Sequence, residues 1–207
     1  MNHVHTSTEP VVNLHMRDIG TINYPIIARA LQELDNHPEL WNEYKWRTNN
    51  PQSPHREAED IWVRYNPVCN FNPAEPSKFN EEHVAEWYPG VDKIPTIKEI
   101  VEQVTDTLGA TTLGAVLITK VPAGKQIYWH KDAGWHARVH RKFLVLLRGN
   151  LEQSFEFENE QMFAEPGDCF EFENEYPHRV INGSQQERIS LIICLRDFKK
   201  NGTHNVN

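Results

Sequence analysis

The stretch DCFEFENEYPHRVINGSQQERISLIICL, residues 168–195, decides how this chain folds. Its first part alternates strictly, Phe170 and Phe172 against Glu171 and Glu173, which is the two-residue period of a strand with one apolar and one polar face. Asn182-Gly183 supplies a turn. Arg188 then opens a run in which Ile189, Leu191, Ile193 and Leu195 share one face while Arg188, Ser190, Ile192 and Cys194 share the other.

The same pattern continues upstream. Residues 154–158 alternate Phe155 and Phe157 with glutamates, so Glu156, Glu158, Glu171 and Glu173 are expected on solvated outer faces. Strand-like runs at 114–121, 126–131, 142–148, 153–158, 168–173, 179–181 and 188–195 are punctuated by Gly149-Asn150 and Pro166-Gly167. With residues 61–65 they make eight predicted strands, a set that predicts a jelly-roll or barrel of two facing sheets. Helices belong to the N-terminal half. One is expected over 25–35, and another after Pro95-Thr96, where Ile97, Ile100, Val101, Val104 and Leu108 form an apolar stripe that Gly109 ends. The fold class expected is α+β, mainly β, in a single domain over 1–207: a helical and loop-rich region at 1–112 with one core strand, a β core at 113–198, and a tail at 199–207.

Composition narrows the functions available. A chain of 207 residues, 39% hydrophobic and 24% charged, is an ordinary globular protein. Its net charge of −8 disfavours nucleic acid as a partner. The three cysteines are far apart and read as reduced thiols, residues 1–18 have no apolar core, and the longest apolar runs are strand-length, so a cytoplasmic chain without membrane contact is expected.

The chemistry starts at YWHKD, residues 128–132, where His130 and Asp132 sit two apart and would share one face of a strand. Alone, the pair also fits an ordinary hydrogen-bonded contact. His178, 46 residues after Asp132, opens another strand and offers a third ligand. Two histidines and one carboxylate on one side of a metal leave open positions, the arrangement of non-haem Fe(II) oxygenases. Arg188 adds a guanidinium directed into a barrel, where it needs an anion. A carboxylate gripped bidentately, with the Ser190 hydroxyl assisting, would satisfy it, and 2-oxoglutarate has one end for iron and one for such an arginine.

Together with PAGKQIYWHKD and PGDCFEFENEYPHRVINGSQQERISL, these residues resemble the 2-oxoglutarate and Fe(II)-dependent dioxygenases, and within them the aspartyl/asparaginyl β-hydroxylase-like branch. The similarity spans roughly residues 113–196. It implies a cupin-like double-stranded β-helix, iron held by His130, Asp132 and His178, the distal carboxylate of 2-oxoglutarate on Arg188, and O2 as the second cosubstrate. It further implies hydroxylation of an amino-acid side chain (Asp, Asn or Pro type), free or in a peptide or protein, with release of succinate and CO2. Asp132 favours hydroxylation over halogenation. The branch often carries an Arg-x-His pair that contacts 2-oxoglutarate. Arg138-x-His140 matches it literally, and a shifted register would offer Arg141 instead.

The substrate pocket is expected from segment 46–80, with Arg47, Ser53, His55 and Arg56, and from residues 133–141. Trp129 and Trp135 line that pocket or simply pack in the core. Two other functions stay open: a cupin-like metal-binding module, non-catalytic or differently catalytic, in which Arg188 has no assigned anion, and a nucleic-acid demethylase of similar fold, which the net charge disfavours.

Overall fold

The computed structural model describes residues 15–199. In chain order the elements are β1 (Met16–Thr21), α1 (Tyr24–Asn36), β2 (Glu59–Tyr65), β3 (Glu86–Trp87), α2 (Pro95–Leu108), β4 (Ala110–Val121), β5 (Gln126–His130), α3 (Trp135–Val139), β6 (Arg141–Arg148), β7 (Gln153–Phe157), β8 (Glu160–Phe163), β9 (Asp168–Phe172), β10 (His178–Asn182) and β11 (Arg188–Phe198). Seven strands in the order β1-β9-β6-β11-β4-β2-β3 make one sheet and four in the order β5-β10-β7-β8 make the other. Every pairing is antiparallel. The sheets face each other in a mainly β jelly roll, as the alternation predicts.

Alternation also sorts the core into two layers. In β6 and β11, Phe143, Val145, Leu147, Leu191 and Ile193 turn outward to meet the α2 stripe of Ile97, Ile100, Val101 and Val104. Each fully buried side chain of this kind contributes about 1.5–3 kcal/mol. Leu144 and Leu146 turn inward to Phe155, Phe157 and Val180 of the smaller sheet. The helix that covers the outer layer has Pro95 in its first turn and no cap from its own side chains. Glu33 of α1 supplies the cap, accepting from the Thr96 backbone N–H at 2.9 Å and its hydroxyl at 2.5 Å. At the other end Gly109 adopts φ 65°, and its N–H closes the helix on Asp106 and Thr105.

Three strands lie outside the eight expected. In β1 only Met16 is fully buried, β3 has two residues, and β8 leaves Phe163 half-exposed, so none carries a sustained alternation. Glu156 departs from the solvated face expected for it. It is buried beneath Arg179 of β10 and Gln161 of β8, which bind it at 2.7 Å each.

Two local features fix the ends of the site-bearing strands. Buried Asn182 donates to the carbonyls of Val121 and Gln186 and accepts from Ser184, so the turn before β11 is tied to the end of β4. Gly114 in β4 leaves room for the His140 ring, since a Cβ there would stand 2.5 Å from His140 Nε2. Gly114→Ala is therefore expected to destabilise the fold by about 1–3 kcal/mol, as overpacking of a close-packed site does. A urea denaturation curve of the variant checks this. The three cysteines are unpaired, and among the described residues no helix is long and apolar enough to cross a membrane.

Candidate metal and cosubstrate site

β5 ends on His130, and β10 begins on His178 directly opposite it in the ladder. Asp132 lies just past β5, its position fixed by its backbone N–H donating to Asn174 O at 3.0 Å. Asp132 Oδ1 is 3.7 Å from His130 Nε2 and Oδ2 is 3.9 Å from His178 Nε2. One ligand atom from each residue lies within 4.8 Å of the other two.

The imidazoles are set for a metal by their other nitrogens. Nδ1 of His130 lies 2.8 Å from Tyr128 O, and Nδ1 of His178 lies 2.8 Å from Tyr176 O. A carbonyl only accepts, so each Nδ1 carries the proton and each Nε2 keeps its lone pair for a ligand. Burial drives His178 down to about 4 against the pull of Asp132, and it lowers His130 as well. Burial pushes the Asp132 carboxyl up, but Lys142 and the two imidazoles outweigh it and hold it at about 2. At neutral pH the trio is thus two neutral imidazoles and a carboxylate. This donor set, with hydrogen bonds behind both rings, fits a divalent first-row metal such as iron.

Arg188 shares one cavity of about 600 Å3 with this trio. It is 1% exposed, and none of its three guanidinium nitrogens has a hydrogen-bond partner among the described residues. Burial alone lowers it to about 10, which still leaves it charged at neutrality. Ser190, also buried, lies next along the same face of β11 and lines the same cavity. An orphaned guanidinium beside a hydroxyl in a mostly apolar cavity has the donors and the charge to receive one carboxylate.

The structure distributes the other candidates unevenly. Arg47, Ser53 and His55 line the cavity. Arg47 is clamped to Asp60 at 2.7 and 2.8 Å and to Thr119 at 2.6 Å, and His55 packs edge-on against the His130 ring. Arg56 stacks on Tyr128 at 3.4 Å and does not line the cavity. Arg138 and His140 do not join Arg188. Arg138 is exposed on α3, which interrupts the strand that their pairing assumed. His140 is buried behind α3, its ring stacked on His136 at 4.6 Å. Arg141 turns outward to Glu171 at 2.6 Å. Neither Trp129 nor Trp135 lines the cavity.

The charged residue that β6 does direct inward is Lys142, whose Nζ binds Asp132 Oδ2 at 2.6 Å. The available signal was its parity with inward-facing Leu144 and Leu146.

At the cavity wall, His136 Nε2 meets His83 Nε2 at 2.9 Å. Burial lowers His136 to about 3 and His140 to about 4. An unfolded histidine titrates near 6.5, so below that pH the unfolded chain takes up protons that these rings and His178 refuse. Their contribution is intact above about 6.5 and is lost as pH falls toward about 4 for His140 and His178 and about 3 for His136. The urea midpoint of the metal-free protein is accordingly expected to drop steadily across that window.

Residues 23–197 match the family model described as Aspartyl/Asparaginyl beta-hydroxylase. No curated protein matches the chain in sequence. Among solved structures, a prolyl hydroxylase from Trichoplax adhaerens, in complex with a hypoxia inducible factor oxygen degradation domain peptide fragment, is similar with a TM-score of 0.56 at 13% identity, covering 88% of this chain and 82% of its own. The viral collagen prolyl hydroxylase of Paramecium Bursaria Chlorella virus-1, in a 2OG complex, gives a TM-score of 0.50 at 13% identity, covering 90% and 98%. At these identities the likeness is one of fold.

Proposed function

The chain belongs to the aspartyl/asparaginyl β-hydroxylase family, and on that premise we propose that it is an Fe(II)- and 2-oxoglutarate-dependent oxygenase that hydroxylates an amino-acid side chain, free or within a peptide. The observation that carries the proposal is Arg188, a buried and unpartnered guanidinium in the cavity that also holds His130, Asp132 and His178. Iron bound by these three would supply O2 activation and C–H cleavage, with 2-oxoglutarate converted to succinate and CO2.

The protein's own share is positioning. Tyr128 O and Tyr176 O hold the imidazoles in the ligating tautomer. Arg188 and Ser190 receive the distal carboxylate of the cosubstrate, which fixes its orientation toward the metal. Phe155 and Phe172 pack on the His178 ring and keep water from that side.

A cupin-like metal-binding module without a cosubstrate would leave Arg188 charged, buried and unanswered, which disfavours that alternative. The test incubates the iron-loaded protein with O2, 2-oxoglutarate and a panel of amino acids and peptides. Gain of one oxygen by a panel member, matched by succinate, is the expected result. Failure of the metal-loaded protein to bind 2-oxoglutarate at all would favour the module.

A further inference from the structure

Among the described residues lining the cavity, the cations are Arg47, Lys142 and Arg188. The carboxylates that meet them are Asp60 and Asp132. Arg47 is neutralised by its two bonds to Asp60, and its remaining nitrogen faces His55 Nε2 at 3.5 Å. Arg188 awaits the cosubstrate under the reading above. Lys142 is different, because its one hydrogen bond goes to Asp132, the carboxylate that the metal must also use. Divalent iron and the 2-oxoglutarate dianion cancel each other in charge. Three cations against two carboxylates therefore leave one positive charge in the loaded cavity, and it resides at Lys142.

Position decides what meets that charge. Along β11, Arg188 pairs with Val121, whereas Lys142 pairs with Cys194 at the other end of the inward face. Six residues at about 3.3 Å each put about 20 Å of strand between them. The cosubstrate reaches from the metal toward the Arg188 end, so it leaves the Lys142 end free. Tyr65, Ala115 and Cys194 pack together there, with His136 at 5.0 Å from the Tyr65 ring and Asn80 bonded to the Tyr65 hydroxyl. These walls are largely aromatic and apolar, and they bring no further carboxylate to Lys142.

We infer that Lys142 is a carboxylate anchor for the substrate: the preferred substrate carries a net negative charge, with its acid group on the Lys142 ammonium and its body against Tyr65 and Ala115. The inference rests on the oxygenase reading, and it makes Lys142 a specificity-determining residue that separates an acid from the corresponding amide. Arg188 and Lys142 then divide the work, one holding the cosubstrate and the other the substrate, on opposite sides of the metal.

The test loads the full-length protein with Mn(II) and N-oxalylglycine, an unreactive 2-oxoglutarate analogue, and records 19F NMR spectra of 4-fluorobenzoate and 4-fluorobenzamide. Paramagnetic Mn(II) broadens only nuclei held near it, so weak binding is enough. The acid is expected to broaden at least tenfold more than the amide. Lys142→Met should abolish the difference, and Lys142→Arg should retain it. Equal broadening of the two probes, no broadening of either, or a preference that survives in Lys142→Met overturns the inference. Displacement of 4-fluorobenzoate by acetyl-Ala-Asp-Ala-amide but not by its Asn counterpart supports a side-chain carboxylate in a peptide. Displacement by 4-phenylbutyrate alone supports a small free acid. Calorimetry of Mn(II) and N-oxalylglycine binding, done before any probe is added, isolates the oxygenase reading: if these do not bind, it is that reading that fails.

Discussion

Arg188→Met is expected to remove 2-oxoglutarate binding while making the metal-free protein harder to unfold. Both effects come from one fact, a fully buried guanidinium with no hydrogen-bond partner among the described residues. Losing one member of a buried charge pair weakens binding by about 2–5 kcal/mol, or roughly 30- to 4,000-fold. Without cosubstrate the same charge is a liability, because an unpaired ion in an apolar interior costs several kcal/mol. Methionine fills similar space with no charge, so the apo-protein should gain about 1–4 kcal/mol. Isothermal titration with 2-oxoglutarate and urea unfolding of the same variant read the two effects independently. A variant that lost both binding and stability would mean that Arg188 has a structural partner instead.

Asp132→Asn is the second large effect, a loss of metal affinity greater than the roughly 10- to 100-fold that follows removal of an outer-shell partner. The carboxamide keeps the shape of the side chain but removes the only anionic donor of the trio. It also releases Lys142, whose ammonium bonds at 2.6 Å to Asp132 Oδ2. An uncompensated cation then faces the incoming divalent ion, and Coulomb repulsion adds to the missing ligand. Titration with Mn(II), followed by electron paramagnetic resonance of the free ion, measures the change directly.

The sheet architecture was legible because Phe170 and Phe172 alternate with acidic residues in β9, and the two-residue parity of β11 also placed Arg188 on the inward face with Ser190, opposite Ile189 and Leu191. The short strands β1, β3 and β8 were not legible, since so few of their residues are buried that no period develops. The site was legible where chemistry and spacing coincide, at His130, Asp132 and His178. It was misleading at Arg138 and His140, where a single turn of helix, Trp135–Val139, takes the place of extended chain. Five residues are too few for a helical period to register. Lys142 escaped notice because a lysine beside an arginine at the start of a strand has the composition of a surface, and its inward parity emerges only once Leu144 and Leu146 are known to face the smaller sheet. Glu156 illustrates the same limit, for its cover comes from Arg179 and Gln161 on neighbouring strands, and cross-strand neighbours are set by register.

The most direct test is a crystal structure of the protein with Mn(II) and N-oxalylglycine. The expected density shows one ion ligated by His130 Nε2, His178 Nε2 and an Asp132 oxygen, with the distal carboxylate of the analogue paired to the Arg188 guanidinium. An ion held elsewhere, or an analogue whose carboxylate leaves Arg188 still without a partner, would contradict the account.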